Sequence, residues 1–173
     1  IGTLYSSLPK SEDNFIAPSD LISKEECNVE NNTDASTELD LLGIPFSNPK
    51  PSSLVKYLVN MVTHTEQSSI ILDFFAGSGT TGDAVMQLNT EDGGNRKYIL
   101  VQLPEQIDEK KNKTAYDFVK NELKIENPTI FEITKERLIR LAKKIQEDNK
   151  KAKEVKELSN VDFGFKVYDH SLC

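Results

Sequence analysis

An apolar run that ends in a carboxylate and continues directly into glycines constrains the fold of this chain more than any other feature. Residues 69–75 (SIILDFF) are apolar and β-branched without alternation, which is typical of a strand buried on both faces of a parallel sheet. The glycine-rich segment 76–82 (AGSGTTG) breaks that strand. Residues 83–88 then predict a helix that packs Ala84 and Leu88 inward. The sequence therefore predicts a strand, a glycine loop and a helix in succession.

The rest of the chain continues to alternate between strands and helices. Residues 41–51 hold three prolines and a glycine, which predicts a rigid loop, and we expect Ser52 or Ser53 to cap the helix that follows. One face of that helix is apolar, through Leu54, Leu58, Met61 and Val62. Further elements are predicted at residues 98–103 (strand), 113–123 (helix), 134–145 (helix) and 163–168 (strand). This order predicts an α/β fold with a mainly parallel sheet.

The acidic charge of the chain is concentrated in its first 40 residues. Nine acidic side chains there face two lysines, which accounts for the whole net charge of −7 and leaves residues 41–173 balanced. We predict that residues 1–36 are an acidic, weakly ordered region and that residues 37–173 form the folded domain. Because phosphate binding needs a cationic surface, the chain is not expected to hold DNA unaided. The basic run from Lys135 to Lys156 is interpreted as the solvated face of a helix.

Composition excludes several classes of protein. No apolar run approaches the roughly 20 residues that a bilayer span needs, and no signal peptide is visible. Two cysteines near opposite ends and two histidines make neither a disulfide framework nor a zinc site. We therefore expect a cytoplasmic protein with no membrane partner and no metal. Because the first residue is isoleucine, we also expect a fragment of a longer protein.

The glycine-rich segment is suited to binding an anionic or nucleotide-like ligand. Glycines at 77 and 79 let a ligand approach the backbone where a Cβ would collide. The start of the following helix offers N–H groups and a partial positive charge, and Thr80 or Thr81 is expected to cap that helix or to bind the ligand. The second strand is followed by Glu105, at the edge where a carboxylate accepts hydrogen bonds from ribose hydroxyls.

Several classes of protein use a loop of this kind. Residues 77–82 (GSGTTG) match G-x-G-x-x-G and Glu105 follows 23 residues later, which admits a dinucleotide-binding oxidoreductase. Asp73 argues against that class, because an apolar residue is usual at that place. A Walker A loop is excluded by the lack of Gly-Lys-Ser/Thr, and a nucleophile elbow by Ala76 and Thr80. An interaction fragment that binds no cofactor stays open.

The residues of this segment resemble a known family. Residues 73–81 (DFFAGSGTT) are similar to the S-adenosylmethionine loop of amino-methylating DNA methyltransferases, and residues 46–51 (FSNPKP) resemble the segment before that loop in the β-type enzymes. Residues 101–105 (VQLPE) and 162–168 (DFGFKVY) resemble the modification subunits of type III restriction–modification systems. The resemblance covers roughly residues 37–170. It implies a partial Rossmann-like methyltransferase fold and transfer of a methyl group from S-adenosylmethionine to adenine N6 of DNA.

The resemblance also implies a role for each matched residue. Phe75, Ala76, Gly77 and Gly79 are expected to surround the methionine part of the cofactor, and Asp73 to lie near its ammonium group. Glu105 is expected to accept the ribose hydroxyls. The cofactor carboxylate is approached from the other side by Pro49, Lys50, Pro51 and Ser52. The cofactor-binding residues implied are therefore Pro49, Lys50, Pro51, Ser52, Asp73, Phe74, Phe75, Ala76, Gly77, Ser78, Gly79, Thr80 and Glu105.

One motif of the family is missing from this sequence. Such enzymes hold the target amine with Asp/Asn-Pro-Pro-aromatic, and the chain contains no Pro-Pro pair. Neither Asn48-Pro49 nor Asn127-Pro128 is followed by the second proline. We therefore expect a carboxyl-terminal portion that cannot methylate DNA alone and carries no catalytic residue. Its residues 1–36 are expected to be the end of the target-recognition region, and residues 37–173 the S-adenosylmethionine-binding part of the methyltransferase domain. For the full-length protein, the resemblance implies DNA as substrate, a possible accompanying restriction subunit and a homodimer.

Overall fold

The computed structural model describes residues 21–151 and 163–168 of the 173-residue chain. Helices alternate with two strands, as the sequence predicts for an α/β fold. In chain order the elements are α1 (Lys24–Cys27), α2 (Asn32–Leu41), α3 (Ser52–Thr63), β1 (Ile70–Asp73), α4 (Thr80–Asp92), β2 (Lys97–Leu100), α5 (Lys113–Asp117), a π-helical turn (Phe118–Glu122) and α6 (Ile130–Lys151). None of the helices described is both long enough and apolar enough to cross a bilayer.

The two strands form a parallel pair, and they are the two strands expected on either side of α4. Ile70 is opposite Lys97 and Asp73 is opposite Leu100, so both strands end at the same edge. The expectation that both faces are buried is wrong within this part of the chain. Ile70 remains 62% exposed and Leu72 49% exposed. The reason is that α4 and α6 pack on one face, whereas the described residues place no second layer on the other.

Helix α3 follows the proline-rich loop as predicted, but its cap and its buried face differ from the prediction. Its N-cap is Pro51, whose ring has no group that could accept a hydrogen bond from the helix. The hydroxyl of Ser52 instead donates to Glu38 Oε1 at 2.7 Å. Val59 and Thr63 are buried, whereas Val62 of the predicted apolar face is 66% exposed. Ser52 and Thr63 lie on the buried face through polar contacts, which the spacing of apolar residues does not predict.

Helix α4 is longer than the predicted segment 83–88 and confirms its buried face. Ala84 and Leu88 are buried, and the helix continues to Asp92 before Gly93 ends it in the left-handed conformation, with φ +71°. Gly82 lies close to α6, since a Cβ there would lie 2.7 Å from Leu138 Cδ2.

Two hydrophobic clusters complete the core. One joins α2 and the following loop to α5, the π-helical turn and α6, through Leu39, Ile44, Ile107, Ala115, Phe118, Val119 and Ile133. The second is formed by α4 and α6 through Met86, Leu138 and Leu141. The strand predicted at 163–168 is not formed. Phe163 and Phe165 pack on the second cluster instead, so the alternating pattern reflects packing without strand pairing.

The amino-terminal part of the described chain contains helical structure close to the predicted domain boundary. Helix α2 begins at Asn32, within the region predicted to be weakly ordered, and it is capped by Asn31. Ala35 and Leu39 of this helix are buried. The helix therefore crosses the boundary proposed between residues 36 and 37. Residues 1–20 of the acidic region lie outside the described residues.

Candidate functional site

The loop between β1 and α4, residues 74–79, is the centre of the candidate site and is called the glycine loop here. Asp73, the last residue of β1, organises it. Its Oδ1 accepts a hydrogen bond from the Phe75 backbone N–H at 2.9 Å, and its Oδ2 accepts one from Thr81 Oγ1 at 2.6 Å. The carboxylate therefore joins the strand end, the loop and the first turn of the helix.

Two glycines give the glycine loop its shape. Gly77 has φ +52° and Gly79 has φ +83°, in the left-handed region that side-chain-bearing residues rarely adopt. Gly79 is the N-cap of α4 and contributes no side-chain hydrogen bond. Of the two roles predicted for Thr80 or Thr81, capping the helix is therefore wrong, and binding a ligand stays a prediction. Both hydroxyls instead donate within the protein, that of Thr81 to Asp73 and that of Thr80 to the Lys50 carbonyl oxygen.

The glycine loop lies against the carboxyl end of β2. The Ala76 N–H donates to the Val101 carbonyl oxygen at 3.1 Å, and the Gly77 N–H donates to Gln102 Oε1 at 2.7 Å. Gln102 lies within residues 101–105 (VQLPE), which carry part of the resemblance, but the sequence analysis assigned it no role. These two bonds place the loop beside the residues that lead directly to Glu105.

Glu105 has a fixed backbone and an exposed side chain. Its N–H donates to the Leu103 carbonyl oxygen at 2.8 Å, and its carbonyl oxygen accepts from the Ile130 N–H at 3.0 Å. The residue therefore connects the end of β2 to the start of α6. Because the side chain faces solvent, its carboxylate is available to a ligand that lies across this edge of the sheet.

The loop before α3 approaches the glycine loop from the other side. A Cβ built on Gly77 would lie 3.8 Å from Phe46 Cζ, and Thr80 Oγ1 donates to the Lys50 carbonyl oxygen at 3.4 Å. Lys50 itself is exposed. The structure thus brings together the segments 46–52 and 74–80, as the resemblance implied. Three of the implied residues there have buried side chains: Pro49, Pro51 and Ser52.

The implied cofactor residues of the glycine loop divide into exposed and buried groups. Phe75 is 89% exposed and Phe74 is 63% exposed, so both rings offer apolar surface to a ligand. The other side chains are directed inward, those of Ala76, Ser78 and Thr80. Residues of the second group can meet a ligand only through their backbone, whereas the phenylalanines can do so through their rings.

Helix α6 contributes two side chains that sequence reasoning missed. Arg137 is fully buried, although the basic run that contains it was interpreted as a solvated face. Its Nη1 donates to Ser78 Oγ at 2.8 Å and to Thr80 Oγ1 at 3.0 Å. Thr134 Oγ1 donates to the Gly77 carbonyl oxygen at 2.5 Å. The helical spacing of Arg137 with Leu138 and Leu141, which predicts a shared buried stripe, is the signal that was available.

The charges around Arg137 are unevenly balanced. Arg137 Nη2 donates to Asp83 Oδ2 at 2.6 Å and lies 3.9 Å from Glu38 Oε2. Burial raises the pKa of the Glu38 carboxyl above its ordinary value, and the Asp83 charge acts in the same direction, while hydrogen bonds from Ser52 oppose them. One buried guanidinium therefore lies near two carboxylates, and it forms a direct ion pair with that of Asp83.

Comparison with known proteins identifies the family. The model of the DNA methylase family matches residues 10–110, more than half of the chain. The chain belongs to this family. Membership agrees with the glycine loop, since the matched range contains β1, the glycine loop, α4, β2 and Glu105. A methylase requires a methyl donor, and the chain therefore belongs to a family that binds one.

Three relatives of the chain are modification subunits of type III restriction-modification enzymes. The chain is 38% identical over 145 residues to the type III restriction-modification enzyme StyLTI Mod subunit of Salmonella typhimurium, which covers 82% of the chain. It is 43% identical over 112 residues, or 64% of the chain, to the EcoPI Mod subunit of Escherichia phage P1. It is 38% identical over 124 residues, or 72% of the chain, to the EcoP15I Mod subunit of Escherichia coli. The resemblance to type III modification subunits is confirmed.

The chain spans a small part of these relatives. It covers 19% of the StyLTI subunit, 16% of the EcoPI subunit and 15% of the EcoP15I subunit. The glycine loop and Glu105 therefore belong to a portion of a methylase.

Proposed function

We propose that this chain is the cofactor-binding part of a DNA adenine-N6 methyltransferase, the modification subunit of a type III restriction–modification system. S-adenosylmethionine is the proposed methyl donor, held at the edge of a Rossmann-like sheet. The observation that carries the proposal is the path of the glycine loop. It crosses the carboxyl ends of two parallel strands, and Glu105 follows the second strand with its carboxylate exposed.

The side chains around the glycine loop suit S-adenosylmethionine chemically. The cofactor carries two vicinal ribose hydroxyls, for which the exposed carboxylate of Glu105 is a matching acceptor. It also carries a carboxylate, for which the exposed ammonium group of Lys50 is a matching cation. A Cβ at Gly77 would meet only Phe46 and the Phe75 backbone oxygen, both at 3.8 Å, so the side of the loop toward Phe75 is uncrowded. The carboxylate of Glu105, the ammonium group of Lys50 and the uncrowded backbone at Gly77 all fit the proposed cofactor.

The roles proposed for these residues are binding and orientation. Phe75 and the backbone of Ala76, Gly77 and Gly79 surround the methionine part, and Asp73 fixes the loop beneath its ammonium group. When bound, the cofactor supplies an electrophilic sulfonium methyl group. The chain's contribution is to hold the reacting group in one orientation, which removes much of the entropic cost of the reaction.

The acceptor side of the reaction is assigned to residues outside these 173. The motif that would hold the adenine amine, Asp/Asn-Pro-Pro-aromatic, is absent from the sequence. We therefore propose that the chain alone transfers no methyl group to DNA. The relatives' names support an assembly with a restriction subunit, and homodimerisation and DNA contacts are proposed for the whole protein in the cytoplasm.

Titration calorimetry with S-adenosylhomocysteine, the product form of the cofactor, tests this proposal. Wild type should bind it, and Glu105→Ala should bind about 10- to 150-fold more weakly, as expected for loss of charge-assisted hydrogen bonds. Glu109→Ala is the matched control, because it removes a nearby exposed carboxylate that follows β2 but has no proposed role. Its affinity should equal that of wild type.

The same titration separates the proposal from its rivals. Binding of NADH without binding of S-adenosylhomocysteine would replace the methyltransferase proposal with a nicotinamide-dependent oxidoreductase. Binding of neither would favour a non-catalytic interaction fragment. Equal affinities of wild type and Glu105→Ala would remove Glu105 from the site while leaving the rest of the proposal to stand on the wild-type affinity.

A further inference from the structure

Helix α6 holds the glycine loop through two side chains that are one turn apart. Thr134 and Arg137 both lie beyond residue 110, where the match to the DNA methylase family ends. Neither belongs to the motif that identifies the loop. Both are buried, with Arg137 fully inaccessible to solvent. The hydrogen bonds of Arg137 are therefore shielded from water, and the bond of Thr134 to Gly77 is partly shielded. Shielding makes such bonds more consequential for the loop than surface bonds.

Thr134 fixes the glycine loop at both of its left-handed residues. Its hydroxyl donates to the Gly77 carbonyl oxygen at 2.5 Å. Its methyl group faces Gly79, where a built Cβ would lie 3.2 Å from Thr134 Cγ2. Glycines lose more conformational freedom on folding than other residues, so a loop with two of them needs such contacts to stay in one conformation.

Arg137 fixes the end of the loop and the start of α4. Its Nη1 lies 2.8 Å from Ser78 Oγ and 3.0 Å from Thr80 Oγ1, and its Nη2 lies 2.6 Å from Asp83 Oδ2. A planar guanidinium with donors in a fixed fork sets the spacing of three acceptors at once. The loop and the first turn of α4 are thereby held as one unit.

The same network extends to the other side of the candidate site. Asp83 Oδ1 accepts from Gln87 Nε2 at 2.7 Å, and Gln87 Nε2 also donates to Ser52 Oγ at 3.2 Å. Ser52 begins α3, directly after the segment of Lys50 and Pro51. A series of polar groups, buried except for the half-buried Gln87, therefore runs from Arg137 to the start of α3 on the other side of the candidate site.

We infer that Thr134 and Arg137 are positioning residues for cofactor binding. They do not contact the cofactor in this assignment; they hold the glycine loop in its binding conformation before the ligand arrives. A loop ordered in advance loses less entropy on binding, so its affinity is higher. The inference rests on the proposed function, because the ligand it concerns is the nucleoside cofactor of that site.

Substitution of Thr134 tests the inference with little disturbance to the core. Thr134→Val keeps the shape and removes the hydroxyl, whereas Thr134→Ser keeps the hydroxyl. In the full chain, Thr134→Val should weaken S-adenosylhomocysteine binding about 3- to 10-fold, and Thr134→Ser should stay within about twofold of wild type. Hydrogen exchange of the peptide that spans residues 73–82 should be faster in unliganded Thr134→Val than in wild type.

Thr90→Val is the matched control. Thr90 Oγ1 donates to the Met86 carbonyl oxygen at 2.8 Å within α4. Thr134 Oγ1 lies 3.1 Å from the Ile130 carbonyl oxygen in the same i to i−4 relation, so Thr90→Val removes a threonine hydroxyl that makes only the intrahelical contact. It should leave affinity and loop exchange unchanged, whatever its effect on the unfolding temperature. A Thr134→Val variant that behaves in the same way, with lower stability and unchanged affinity, overturns the inference and makes the contact purely structural.

Failure of the proposed function gives a different result. If wild type binds no S-adenosylhomocysteine, the methyltransferase proposal falls, and loop exchange then decides whether Thr134 orders the loop. Exchange at residues 73–82 that is equal in wild type and Thr134→Val overturns the inference in that case. Faster exchange in the variant supports it as a property of the loop itself.

Discussion

The buried ion pair between Arg137 and Asp83 provides the sharpest test of the structure. Arg137→Met keeps the length of the side chain and removes its charge and its donors. Asp83, whose side chain is 3% exposed, is then left as a carboxylate without its cation. Ser78 and Thr80 also lose the donor that they share. The variant therefore tests whether the network between α6 and the glycine loop stabilises the fold.

The expected cost follows from what remains after the substitution. Removing one partner of a buried ion pair costs about 3–5 kcal/mol. Two features place this case at the lower end. Asp83 keeps its hydrogen bond from Gln87 at 2.7 Å, and Arg137 Nε is buried without an acceptor among the described residues, so methionine also removes an unpaired donor. We expect a loss of about 3 kcal/mol in the free energy of unfolding.

Urea unfolding of four proteins measures this loss and assigns it to the pair. Wild type, Arg137→Met, Asp83→Asn and the double variant form a cycle, with a coupling energy of about 1–3 kcal/mol expected for charges in direct contact. The slope of the unfolding free energy against urea should be constant across the set. Lys113→Met removes a largely exposed partner of Asp117 and should change stability by less than about 1 kcal/mol.

Two results would refute this reasoning. A coupling energy below about 0.5 kcal/mol would mean that Arg137 and Asp83 contribute independently. An Arg137→Met loss as small as that of Lys113→Met would mean that the guanidinium is hydrated, contrary to its burial. Either result would also remove Arg137 from the contacts that connect α6 to the candidate site, leaving that of Thr134.

Two further predictions concern packing and charge. Gly82→Ala would place a Cβ 2.7 Å from Leu138 Cδ2 and 3.3 Å from Leu100 Cδ1. Overpacking costs about 1–3 kcal/mol, which exceeds the gain of about 1 kcal/mol in helix propensity. Urea unfolding should therefore show a lower free energy of unfolding, and the additional substitution Leu138→Val should partly relieve the clash. The pKa of Glu38 is raised in the folded state, so the folded protein binds its proton more tightly and stability should fall as pH rises above 4.5. Glu38→Gln should flatten that decline. The measurement is the urea midpoint of wild type and of Glu38→Gln at successive pH values, and midpoints that fall in parallel for the two proteins would contradict the prediction.

The local order of elements could be predicted from the sequence because it depends on neighbouring residues. The strand at Ile70–Asp73, the glycine break and the helix after it follow from a β-branched run and from residues that tolerate positive φ. Gly77 and Gly79 adopt that conformation in the structure. The parallel pairing of β1 with β2 follows from the intervening helix, since such a connection returns the chain in the same direction.

Other predictions failed where a distant contact outweighed a local pattern. The apolar spacing of α3 pointed to Val62, but Thr63 is the buried residue because its hydroxyl accepts from Arg96 Nε at 2.7 Å. The alternation at residues 163–168 pointed to a strand, which requires a neighbouring strand to pair with. Here the segment packs Phe163 and Phe165 on a cluster of helical side chains instead.

The sequence by itself determined the elements of the candidate site and the family: a glycine loop between two parallel strands, Glu105 after the second strand, and membership of a methylase family. Tertiary structure decided what holds that part in place. Whether an arginine in a basic helix faces water or a buried carboxylate depends on which helix packs against which loop. Arg137 reaches Ser78 and Asp83 across more than 50 residues of chain, and no local pattern encodes a contact at that separation.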